Sequence, residues 1–76
     1  MAPQIETPIE QARRHVRDSE QHMLEQLLVI EKLRQGGHSI DGAKALLEIL
    51  RQSHVQHMQH LKRLEADDDA GGDRPS

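Results

Sequence analysis

Six histidines are the residues of this chain whose type and spacing bear most directly on chemistry. His54, His57 and His60 follow one another at i,i+3, so neighbouring imidazoles on a helix can turn toward a common ligand. His15 and His22 stand in the first half of the chain and His38 near its midpoint. Imidazole nitrogens hold zinc and similar metals, but such a site asks for about four well-placed ligands with hydrogen-bonded support behind them. The low-ranking candidates for that role are His15, His54, His57 and His60, which antiparallel helices would bring to neighbouring levels. The Glu-x-x-His pattern of carboxylate-bridged metal bundles is absent. No metal or other cofactor is therefore expected. The plainer expectation is a polar layer in which His54 bonds Ser19, with the remaining imidazoles in water. If His54 or His57 is buried, its protonation near pH 6 would charge that layer and make the protein pH-responsive.

Catalysis is not expected. Ser19, Ser39 and Ser53 have histidines within reach, yet a serine on a helix brings no oxyanion hole and no concave pocket. Gly36-Gly37 is too short for a phosphate-cradling loop and marks a turn instead. A basic patch is a further candidate, because antiparallel helices would place Arg13, Arg14, His15 and Arg17 beside Lys62 and Arg63. Nucleic acid ranks as a minor alternative all the same. Between Pro8 and Ala66 nine Lys/Arg face eight Asp/Glu, and the chain has no Phe, Tyr or Trp on which a base could stack.

The elements that position these side chains are two helices. Thr7-Pro8-Ile9-Glu10 combines an N-cap threonine, a proline at the first helical position and a capping-box glutamate. No Pro or Gly follows until Gly36, so the first helix spans residues 8–35, about 42 Å at 1.5 Å per residue. The stretch Arg34-Gln35-Gly36-Gly37-His38-Ser39 then supplies a glycine for the positive φ of a helix end and a serine for the next cap, with Asp41 as the alternative cap. The second helix is expected over residues 40–66. Residues 1–7 form a cap segment, and the Asp-, Gly- and Pro-containing residues 67–76 read as a disordered acidic tail.

Each helix carries a seam. On the first it is Ile9, Ala12, Val16, Ser19, Met23, Gln26, Ile30 and Leu33; on the second Ala43, Leu47, Leu50, His54, His57, Leu61 and Leu64. Folded back antiparallel, facing residues sum to about 73, which sets Ile9 against Leu64, Val16 against His57 and Ser19 against His54. Leu24, Leu27, Leu28, Leu46 and Ile49 lie outside the seam. The expected fold is all-α, an antiparallel two-helix hairpin that dimerises into a four-helix bundle with those five residues in the interface.

The segments His15-Val16, Leu33 with Gly36-Gly37-His38-Ser39, Ala45-Leu46-Leu47, and His57 with His60-Leu61-Lys62-Arg63-Leu64 resemble a group of short bacterial helical-hairpin proteins of uncharacterised function. That group has a Gly-His turn and a His/Arg-rich second helix. The resemblance covers residues 11–65; it implies a helical hairpin and brings no activity or cofactor. In architecture alone the chain is also similar to the plasmid repressor-of-primer family, whose hairpins dimerise and bind RNA.

No run approaches the roughly 20 apolar residues of a membrane span, and Met1-Ala2-Pro3-Gln4-Ile5-Glu6 has no signal-peptide pattern. With no cysteine, a disulfide framework is excluded. The expectation is a cytoplasmic, non-catalytic interaction or scaffold protein whose partner is a second copy of itself, with another protein as the alternative and no membrane.

Overall fold

The computed structural model describes residues 5–72, which form two helices packed against each other, with no strand among them. Helix α1 spans Pro8–Gln35 and helix α2 spans Asp41–Gly72. The start of α1 is a complete capping box. Thr7 Oγ1 accepts the Glu10 amide at 3.1 Å, and the Glu10 carboxylate accepts the Thr7 amide at 3.2 Å. Two donors that a helix start leaves open are thereby satisfied.

At the other end of α1, the Gly37 amide donates to the Arg34 carbonyl at 3.1 Å and the His38 amide to the Leu33 carbonyl at 2.9 Å. This crossed pair closes the helix as a Schellman motif, and Gly37 takes the left-handed φ of +73° that it requires. Ile40, not Ser39 or Asp41, occupies the cap position of α2: its carbonyl accepts the Lys44 amide at 2.8 Å. Ser39 assists from one residue earlier, its Oγ accepting the Asp41 amide at 3.5 Å.

Helix α2 continues beyond Ala66 to Gly72, past the boundary that the aspartate run marks in the sequence. Nothing between Ala66 and Gly71 breaks a helix sterically, since Asp and Ala lack proline's clash and glycine's freedom. Residues 73–76 of the tail lie outside the described residues.

Between the helices runs the expected seam. Ala12, Ser19 and Ile30 are buried, and the other seam positions, from Ile9 and Val16 to Leu61 and Leu64, are half-buried. The layer where the leucine pattern lapses is held by polar bonds. Ser19 Oγ lies 2.7 Å from His54 Nδ1, and Gln26 Nε2 donates to the Ala43 carbonyl at 2.8 Å. Every buried polar side-chain atom among the described residues has a partner.

The result is a flat, elongated body of 63 × 32 × 13 Å. Its radius of gyration of 17.8 Å far exceeds the about 11 Å of a compact domain of this length. Two helices side by side have no third layer, so each keeps two broad faces open. No described helix is long and apolar enough to cross a membrane.

Candidate interaction faces

Ser19 and His54 form the best-defined polar site. The Ser19 hydroxyl lies 2.8 Å from the Val16 carbonyl, an acceptor to which it donates its single proton. It therefore accepts from His54, which places a proton on Nδ1. The other ring nitrogen, Nε2, is 4.0 Å from the Glu20 carboxylate.

His15 and His57 meet one turn further toward the open end, with ring centroids 5.4 Å apart and planes tilted by 56°. They line a shallow cleft of about 250 Å³ together with Asp18, Ser19, His22, Leu50 and Ser53. His60 is exposed. The four histidines singled out in the sequence do not converge within one hairpin, since His54 turns toward Ser19 and His57 toward His15. Among the described residues, no group of three or more His, Cys, Asp or Glu side chains is placed to hold a metal ion.

The basic patch is partly neutralised by acids, of which i,i+4 spacing pairs Asp18 with Arg14 and does not reveal Glu6 or Glu65. Arg13 reaches Glu65 across the helices at 3.4 Å. Arg14 binds Glu6 bidentately, with its closest contact at 2.8 Å, and lies 4.0 Å from Asp18. The Arg14 hydrogen bond holds the Glu6 carboxyl below its ordinary value, and Glu6 in turn raises Arg14. Arg17, Lys62 and Arg63 make no ion pair among the described residues.

The apolar residues outside the seam divide between the two broad faces. A groove lined by Arg13, Val16, Arg17 and Leu61 opens on one side, where Arg13 meets Glu65 and Glu20 meets His54. Leu24 lies at i+7 from Arg17 and i+4 from Glu20, and Leu27 at i+7 from Glu20, so both belong to this first face with Leu28 beside them. Met58, at i−7 from Glu65, also lies here.

The opposite face carries the histidine cleft. Val29 is at i+7 from His22, while Leu46 and Ile49 are at i−7 and i−4 from Ser53, which places all three on the second face. The five residues expected to share one interface are therefore split, with Leu24, Leu27 and Leu28 on one side and Leu46 and Ile49 on the other. The seam alone shows which residues leave it. The side on which they leave follows from the right-handed helix and the antiparallel fold taken together with that seam.

The two faces differ in charge. Along the first face stand Arg13, Arg17, Glu20 and Glu31 on α1, with Lys44, Arg51, Lys62 and Glu65 on α2. Along the second run Gln11, His15, Asp18, His22, Glu25, Val29 and Lys32 on α1, and Gly42, Leu46, Ile49, Ser53, Gln56, His60 and Arg63 on α2. With histidine neutral, the formal charges here are Asp18, Glu25, Lys32 and Arg63, all toward the outer rim, and the positions beside the seam, His15, His22, Val29, Leu46, Ser53 and His60, carry none. Comparison of the chain with family models, with curated proteins and with solved structures found no match.

Proposed function

We propose that this chain is a non-catalytic interaction hairpin that completes its core by self-association, two copies stacking into a four-helix bundle. The observation that carries this is the surface a single hairpin leaves uncovered. Its accessible surface is 6379 Å², against about 4,700 Å² for a compact monomer of 8.7 kDa. Among the described residues Ala12 and Ile30 are the buried apolar ones, while Leu28 stays 63% and Ile49 61% exposed.

Patches of this kind mark association sites. Against a second hairpin, each copy would cover roughly 800 Å², about half of the excess. A different protein docking helix-in-groove would cover the same residues. The flatness of the molecule favours a second slab of the same length and seam spacing, which a two-fold axis supplies without a new sequence.

The experiment is a thermal melt across a concentration series. In a dimer that buries this surface, the midpoint rises as protein concentration rises, because mass action stabilises the assembled state. A midpoint independent of concentration would contradict self-association and turn the faces into docking surfaces for another protein.

A further inference from the structure

Building on self-association, we propose that the second copy docks on the less charged face, the one that carries Leu46 and Ile49, with the two turns at the same end. Charge decides between the faces. The core of a protein interface is depleted in charged residues. Docking on the first face would desolvate Arg13, Glu20, Arg51 and Glu65 beside the seam, whereas the positions beside the seam on the second are imidazoles, aliphatics and a serine, its charges Asp18, Glu25, Lys32 and Arg63 standing at the rim. The second face also has adequate size, about 42 Å by about 20 Å, or roughly 800 Å² per copy.

Orientation follows from how that face is divided along its length. Val29, Leu46 and Ile49 occupy the half next to the turn, where Gly42 lets a neighbouring helix come close. The half at the open end carries His15, His22, Ser53 and His60. With both turns at one end, α1 of each copy lies over α2 of the other, and apolar half meets apolar half. With the turns at opposite ends, Leu46 and Ile49 would cover the imidazoles and leave their ring nitrogens without partners. In the same-end arrangement the two copies of Leu46 stand at one level beside the two-fold axis.

Single-cysteine crosslinking of the full chain tests this cleanly, since the chain has no cysteine of its own. Sedimentation of the unmodified protein is measured first. Under mild oxidation, Leu46→Cys should link copies to each other and Leu24→Cys should not. Ile49→Glu should weaken the dimer about 100-fold or more, as an unpaired charge is buried, while Leu24→Glu should change it less than about threefold.

A monomeric unmodified protein would overturn the self-association reading and this proposal with it. A dimer that links through Leu24→Cys and not Leu46→Cys would leave self-association standing and overturn the choice of face. Linking through Ser53→Cys without Leu46→Cys would place the turns at opposite ends and overturn the orientation. Linking at both Leu24→Cys and Leu46→Cys would mean copies stacked on both faces, overturning a closed pair.

Discussion

At the residue scale, Ser19 is the side chain that lets a histidine sit in the seam. Its hydroxyl relays a hydrogen bond from His54 to the Val16 carbonyl, so that no polar atom in that layer is left bare. Ser19→Ala leaves His54 Nδ1 facing a methyl group. The expected cost is about 1–3 kcal/mol, read by chemical denaturation at pH 7.5. An unchanged midpoint would show that water replaces the hydroxyl.

At the scale of the elements, the ends of α1 define where the hairpin begins and turns. Thr7→Ala removes one half of the capping box and should cost about 0.5–2 kcal/mol, read by thermal melting and by amide exchange in the first turn. Gly37→Ala forces a Cβ into a φ of +73°, although nothing stands within 4 Å of it. The cost is thus one of backbone conformation, about 1–2 kcal/mol, with no clash to relieve. These features were legible in the sequence because capping and turn chemistry is local. So was the Ser19–His54 layer, because heptad spacing fixes which residues face each other once the turn is placed. The end of α2 was less legible. The aspartate run reads by composition as solvated tail, yet no residue before Gly71 ends a helix sterically, and α2 continues to Gly72. The partition of Leu24, Leu27 and Leu28 from Leu46 and Ile49 needs both helices at once. Periodicity along one helix does not give it, whereas the two seams paired antiparallel set like flank against like flank, as Arg13 and Glu65 show.

At the scale of the whole molecule, a slab 13 Å thick has a core one layer of side chains deep. Most small domains of this length add a third layer, a metal or a disulfide. This chain has no cysteine with which to form a disulfide, and its faces remain broad and partly apolar. Covering one face with a second copy roughly doubles the buried layer and leaves the more highly charged face in water, where Arg51 with Glu48 and Arg13 with Glu65 are already paired. The measurement that tests this account most directly is the solution mass by analytical ultracentrifugation at pH 7.5 across a concentration series, with and without a strong chelator. The expected result is twice the 8.7 kDa of the chain, unchanged by the chelator. A mass of one chain at every concentration would contradict it.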